Sequence, residues 1–162
     1  MPPAPRPRTT AALRLLIESI VWGGLMAASA ALSIWRYAWQ DGMAMLAVAL
    51  LFALGGVFAY APGVIAAGFV TGNRRRETRF ATFVVALATA TIGATALLFG
   101  LYYRAYYAAW HGPAFSIEWT YQFVFTVAAA VYHFCVLGIR LFIPIGFPAL
   151  LAVSLWHGTR VR

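Results

Sequence analysis

Four long apolar stretches, separated by short segments that carry arginine, dominate this chain. The first three cover residues 13–35, 43–70 and 80–103, and the last runs from 119 to 156. Each is long enough for an α-helix to cross the hydrocarbon layer, which takes about 20 apolar residues. Only 10% of the residues are charged, against about 25% in soluble domains. The sequence therefore predicts an all-α integral membrane protein with four transmembrane helices.

The ends of the chain are predicted to be short cytoplasmic tails. Residues 1–12 are Pro-rich and carry arginine, which favours a disordered segment. Residues 13–157 then form the transmembrane domain, and residues 158–162 form a second tail. The basic start of the first stretch resembles a signal peptide. However, its apolar part exceeds the usual length of about 7–15 residues and Glu18 interrupts it, so we expect it to be retained.

The distribution of arginine predicts the orientation. All 12 basic residues are arginine, and the net charge is +8. Cytoplasmic loops are enriched in positive charge, so the more basic side is predicted to face the cytoplasm, with both termini there. The cytoplasmic set would be Arg6, Arg8, Arg14, Arg74, Arg75, Arg76, Arg79, Arg160 and Arg162, against Arg36 and Arg104 outside.

The densest charge run, Arg74, Arg75, Arg76 and Arg79, is predicted to determine topology and to meet anionic lipid headgroups. The Ala- and Arg-rich, Lys-free composition favours a GC-rich bacterial genome, and hence the bacterial inner membrane. Nothing in the pattern favours a nucleic-acid partner.

The last apolar stretch is too long for one crossing. As a continuous helix, residues 119–156 would reach about 57 Å. We therefore predict a long helix kinked at Pro144 and Pro148. In one arrangement residues 119–143 cross the membrane and the remainder folds into the inner leaflet. In the other, which we prefer, the helix starts outside the membrane and residues 134–157 make the crossing.

Charged residues within the apolar stretches are the first candidates for function. Glu18 and Arg140 lie inside predicted spans, where a charge costs about 2.5–3.5 kcal/mol on insertion scales. Arg14 precedes Glu18 by one helical turn and can pair with it. These three residues would form either a structural ion pair or the lining of a transport path. Snorkelling of Arg140 to the membrane surface is a further alternative.

Histidines are the second set of candidates. His133, together with His111 at the outer interface, could hold haem or relay protons. A structural histidine bonded to a neighbouring helix is the simpler interpretation. The sequence contains no catalytic triad, phosphate-binding loop or zinc-protease motif, and Cys135 is the only cysteine. We predict no metal site and no required cofactor, and we favour a protein that is not an enzyme.

One feature resembles a known family. The chain length, the four-helix plan and Ile143-Pro-Ile-Gly-Phe147 near the end of the last span resemble the small membrane subunit of tripartite solute transporters. Two other motifs of that family have no counterpart here. The resemblance implies a helper-subunit role.

The function expected from these patterns is that of a small subunit that scaffolds or stabilises a larger inner-membrane complex, of transporter or respiratory type. Packing faces on several helices and very small extramembrane segments favour it. Its partners would be the lipid bilayer and other membrane subunits, or further copies of this chain. The alternatives are a self-sufficient homo-oligomeric transporter or channel, and a haem-binding or lipid-modifying membrane enzyme.

Overall fold

The computed structural model describes residues 8–36, 42–72 and 74–159, and this part of the chain is helical with short turns. Four candidate membrane spans are long and apolar enough to cross a bilayer, which confirms the predicted all-α, multi-pass architecture. The five α-helices are α1 (Arg8–Arg36), α2 (Gly42–Thr71), α3 (Arg76–Tyr107), α4 (Ile117–His133) and α5 (Gly146–Thr159).

α1, α2 and α3 cover the first three predicted apolar stretches and extend beyond them by at most five residues at either end, with one difference from the predicted tail at the start of the chain. α1 begins at Arg8, inside the segment expected to be a tail. Residues 1–7 and 160–162, which belong to the two predicted tails, lie outside the described residues. α2 continues through Pro62 without interruption.

Small residues bring the first three helices into close contact. At the crossing of α1 and α2, a Cβ atom on Gly56 would lie 2.8 Å from the Cα atom of Gly23. At the crossing of α2 and α3, a Cβ atom on Gly55 would lie 2.9 Å from the Cα atom of Thr95. Side chains at these positions would force the backbones apart, so the glycines set the spacing of the three antiparallel helices.

The core lies between these helices and also contains Phe134 and Leu141 from the last apolar stretch. Its largest members include Trp22, Met26, Phe52, Leu87 and Phe134, all nearly inaccessible. Phe142 packs on Phe52 with ring centroids 4.6 Å apart. The last stretch therefore reaches across the bundle to α2 rather than following α3 alone.

The last stretch is not one continuous α-helix. α4 ends at His133 and is followed by a π-helical turn (Phe134–Gly138), a 3-10 turn (Ile139–Phe142) and a short turn before α5. Pro144 has no N–H to donate to the carbonyl of Arg140, and Ile143 N donates to that oxygen instead, at 3.2 Å. The chain thus loses its regular α-helical pattern at Phe134, ten residues before the first of the two prolines. A bend of the helix axis at Pro144 and Pro148 stays a prediction.

Ser29 of α1 completes the hydrogen bonding of this irregular segment. Its hydroxyl donates to the carbonyl of Leu141 at 2.8 Å. The same oxygen accepts from the N–H groups of Ile145 at 3.2 Å and Gly146 at 3.1 Å. In a regular helix Ile145 N would bond Leu141 O directly. One side chain from another helix therefore stands in the place of a backbone hydrogen bond.

α4 rises beyond the ends of the other helices. His133 lies beside Tyr103, with ring centroids 5.8 Å apart, and Phe134 lies beside Phe99 at 6.0 Å. From His133 to its first residue α4 extends about 24 Å, whereas α3 continues only about 6 Å beyond Tyr103. We call the projecting residues 112–125 the spur.

The contacts with α3 also indicate which part of the last stretch lies beside the membrane-spanning part of the bundle. The apolar section of α3 runs from residue 80 to residue 103, between Arg79 and Arg104. Phe134 lies near its upper end, and Gly158 packs directly against Phe80 at its lower end. By length and composition the fourth candidate span is Ile117–Phe142. The packing instead aligns residues 134–158 with the apolar section of α3.

Candidate functional site

Three titratable side chains from three helices meet near one end of the bundle. Tyr60 Oη of α2 lies 3.2 Å from Glu18 Oε2 of α1 and 3.1 Å from His157 Nε2 of α5. Tyr60 donates its single hydroxyl proton to Glu18, so the same oxygen can accept from His157 when Nε2 of that ring carries the proton. The first and last helices of the bundle therefore meet at the same tyrosine.

Two arginines complete this cluster. Arg14 Nε donates to Glu18 Oε1 at 2.8 Å, one turn away on α1. Arg79 Nη2 of α3 donates to the backbone carbonyl of His157 at 3.3 Å. A cation at the C-terminal end of a helix is favourable because the last carbonyls lack partners within the helix. Both oxygens of Glu18 are thus bonded inside the protein, and α3 is tied to the end of α5.

Aromatic side chains enclose the cluster. Phe83 stacks on the His157 ring, with centroids 4.9 Å apart and planes 9° from parallel. Trp22 lies 6.0 Å from the Tyr60 ring, and its indole N–H donates to Thr91 at 3.1 Å. On α1, Arg14, Glu18 and Trp22 follow at intervals of four residues, which places them on one helix face. That face turns towards α2 and α3.

Of the predicted ion-pair or path residues, the structure brings together Arg14 and Glu18 but not Arg140. Arg140 is exposed, and its Nε donates to the carbonyl of Val136 at 2.7 Å. Its neighbour Leu141 is bonded to Ser29 of α1. Ser29 lies about 16 Å along α1 from Glu18, so Arg140 and Glu18 lie at different levels of the bundle. The side chain points back along its helix towards the spur, as expected of an arginine that snorkels.

The two predicted haem histidines occupy different levels. His111 Nε2 lies 3.2 Å from Thr126 Oγ1, whereas His133 lies two turns further along α4, about 10 Å away. His133 packs between Tyr103 and Tyr132, and its Nδ1 is buried with no hydrogen-bond partner among the described residues. The arrangement does not bring the two imidazoles to one iron position. Haem binding by His133 stays a prediction.

The basic run at the start of α3 divides into two groups. Arg74, Arg75 and Arg76 are exposed, so they are open to headgroups or solvent. Arg79 is half-buried and bonded to the end of α5. The proposed headgroup role therefore suits the first three arginines, whereas Arg79 contributes to packing.

Sequence reasoning missed two members of the structural network. Tyr60 was not singled out, although it and Thr71 are the only side chains in α2 that carry a hydroxyl. Ser29 was not singled out either. Tyr60 is the only hydroxyl within the apolar stretch 43–70, which was the available signal, whereas Ser29 is one of three serines in stretch 13–35 and carried no such signal. Neither residue's partners could be identified from spacing, because Tyr60 meets His157 and Ser29 meets Leu141 from distant parts of the sequence.

The chemistry of this cluster is that of an interhelical tie. It links α1, α2, α3 and α5 by charge-assisted or neutral hydrogen bonds in a setting of aromatic rings. In the described part of the chain, His, Cys, Asp and Glu side chains do not gather in threes as a metal site would need.

Comparison of the chain with protein-family models, with curated proteins and with solved structures finds no match.

Proposed function

We propose that this chain is a small polytopic subunit that scaffolds or stabilises a larger inner-membrane complex of transporter or respiratory type. The observation that carries this proposal is the hydrogen bonding of Glu18. Both of its oxygens are bonded to side chains of this protein, one to Arg14 on the exposed surface of α1 and the other to Tyr60 of α2. An acid that served a transport path would be expected to face an open route. Glu18 instead joins helices, which favours a structural role.

The spur supports a partner outside the bundle. Phe115 is 90% exposed and Ile117 is 78% exposed. Phe115 also has a φ of +67°, a strained conformation for a bulky residue, of the kind that persists where the surrounding structure holds it. Large apolar side chains at this position, beyond the ends of the other helices, favour contact with another subunit.

The proposed orientation places both termini in the cytoplasm of a bacterium. Arg14, Arg74, Arg75 and Arg76 lie at the end of the bundle where α1 begins and α5 ends, and the positive-inside preference favours that end as cytoplasmic. The spur then lies on the outer side. Residues 134–157, with a kink at Pro144 and Pro148, would make the fourth crossing.

The native mass of the tagged protein, extracted in a mild detergent, tests the proposed function. We expect additional polypeptides at fixed stoichiometry, present also after a second purification step in the same detergent. The control is the same protein with Val85→Ala, an exposed residue near the opposite end of α3, which should retain those polypeptides. A mass equal to a whole multiple of 17.7 kDa, with no other chain, would contradict the proposal and favour a self-sufficient homo-oligomer.

A further inference from the structure

One face of α4 carries a regular stripe of exposed apolar residues. They follow each other at alternating intervals of four and three residues, the spacing of a coiled-coil seam. Ile117 is 78% exposed, Tyr121 64% and Val131 58%. We call the whole set the outer stripe. It consists of Ile117, Tyr121, Val124, Ala128 and Val131 of α4, together with Cys135 of the π-helical turn that follows, all of them exposed.

The opposite face of α4 is already occupied. His111 contacts Thr126 and Tyr103 contacts His133, while Ala130 is buried. These residues turn towards α3 and the turn that follows it. The outer stripe therefore lies on the face of α4 that no other helix of this chain covers.

Lipid cannot cover most of the outer stripe in the proposed membrane position. His133 lies level with Tyr103, the last residue of the apolar section of α3. Measured along the helix axis, the α4 residues before it extend about 24 Å from this level, whereas a headgroup layer adds only about 5–8 Å on each side of the hydrocarbon. The upper half of the stripe, with Ile117, Tyr121 and Val124, would therefore stand in water.

We infer that the outer stripe is the interface between two copies of this chain, whose α4 helices pack side by side about a two-fold axis normal to the membrane. All copies in one membrane share an orientation, so the two helices meet in parallel, an arrangement with which this spacing is compatible. No member of the stripe is charged, so identical residues can meet across the axis without repulsion. Glu118, beside the stripe, lies at its far end in water.

The area available is that of a stable dimer. Tyr121, Phe125 and Tyr132 lie on or beside the stripe and are between 64% and 71% exposed. With the aliphatic members they offer on the order of 700 Å² per copy, close to the about 800 Å² per partner of specific interfaces. A single copy thus exposes a face of the size and pattern that a second copy would bury.

This inference rests on the proposed function only for the position of the membrane, and the sole cysteine gives a direct test. Cys135 would face its counterpart across the axis. The full-length protein is oxidised in isolated membranes, before any detergent is added. Single cysteines are then placed, in a Cys135→Ser background, at Tyr121 and Ala128 on the stripe. Matched controls are placed at Val85 and Leu97, which are 64% and 63% exposed on α3.

We expect a cross-linked species at twice 17.7 kDa for the three stripe positions, at least fivefold more abundant than for the α3 positions. Val124→Arg should reduce it at least fivefold, because the charge would stand at the axis, outside the hydrocarbon, where it does not hinder insertion. Equal cross-linking at stripe and α3 positions would overturn the inference. So would cross-linking of the stripe to a different polypeptide, or to none.

The two proposals fail separately. Stripe cross-links without additional polypeptides in the native mass would leave the dimer standing and remove the accessory role. Additional polypeptides without stripe cross-links would support the accessory role and overturn the dimer.

Discussion

At the scale of single residues, hydroxyl groups hold this bundle together where the backbone cannot. Ser29 serves one acceptor and two donors of the irregular segment, and Tyr60 connects an acid on α1 with an imidazole on α5. In hydrocarbon an unsatisfied backbone group costs several kcal/mol. Because Ser29 bonds three backbone groups, its contribution to stability should exceed that of a single side-chain hydrogen bond.

Replacing Ser29 by alanine should destabilise the protein strongly. The change leaves Leu141 O, Ile145 N and Gly146 N without this partner, and we expect a loss of about 3 kcal/mol or more. The measurement is equilibrium unfolding in mixed micelles with increasing dodecyl sulfate. Ser19→Ala is the matched control, since Ser19 is also buried on α1 but only bonds back to Leu15 O at 2.8 Å. We expect the control to lose less than about 1 kcal/mol. Equal losses in the two variants would refute a special role for Ser29.

At the scale of helices, two kinds of information specify the fold. The apolar stretches and their flanking arginines placed α1, α2 and α3 to within a few residues, because length and hydropathy depend on local sequence. The division of the last stretch depends on a contact between Ser29 and residues more than 110 positions away. Pro144 indicated where regular helix would fail. It did not indicate that a π-helical turn would come first, because local sequence does not specify the partner.

The candidate site was predictable to a similar degree. The pairing of Arg14 with Glu18 follows from their spacing of one turn on the same helix. The approach of Tyr60 and His157 does not, because it depends on how α2 and α5 pack. Arg140 and Glu18 are opposite charges within apolar stretches, which suggested a pair. In the folded bundle the two residues lie at different levels, so they do not meet.

The contact between α1 and α2 provides a prediction at this scale. Gly23→Val should separate the two helices, because its Cβ would lie 2.5 Å from Ala53 O and 2.5 Å from Val57 Cγ2. Gly24→Val is the control on the adjacent residue, where a Cβ meets no atom within 4 Å. We expect the thermal midpoint of the detergent-solubilised protein to fall by at least about 10 °C for Gly23→Val and by less than about 3 °C for Gly24→Val. Similar midpoints would show that the crossing is not tightly packed.

At the scale of the whole molecule, the bundle has two unlike ends. The first end contains the exposed arginines at the start of α3, the start of α1 and the end of α5. The opposite end carries the aromatic spur. An anionic cytoplasmic leaflet would attract the first.

This asymmetry can be measured by cysteine labelling in the Cys135→Ser background. Ala114→Cys, an exposed position of the spur outside the outer stripe, should react in intact spheroplasts with a membrane-impermeant maleimide. Arg75→Cys, at the basic end, should react only after the membrane is permeabilised. Cys135→Ser alone is the unlabelled control. Labelling of Arg75→Cys in intact spheroplasts, with Ala114→Cys protected, would reverse the proposed orientation.

The bond network of Ser29 also has a consequence for the order in which the protein is made. α1 leaves the ribosome long before the segment that needs its hydroxyl, so the serine waits in the membrane while α2, α3 and α4 follow. The last stretch enters with two N–H groups that its own helix cannot satisfy. It reaches its final form only on a surface that α1 has already supplied. Synthesis from the N-terminus thus places Ser29 in the membrane before the segment that needs its hydroxyl. A chain that began after α1 would insert its last stretch without a hydrogen-bond partner for Ile145 N and Gly146 N.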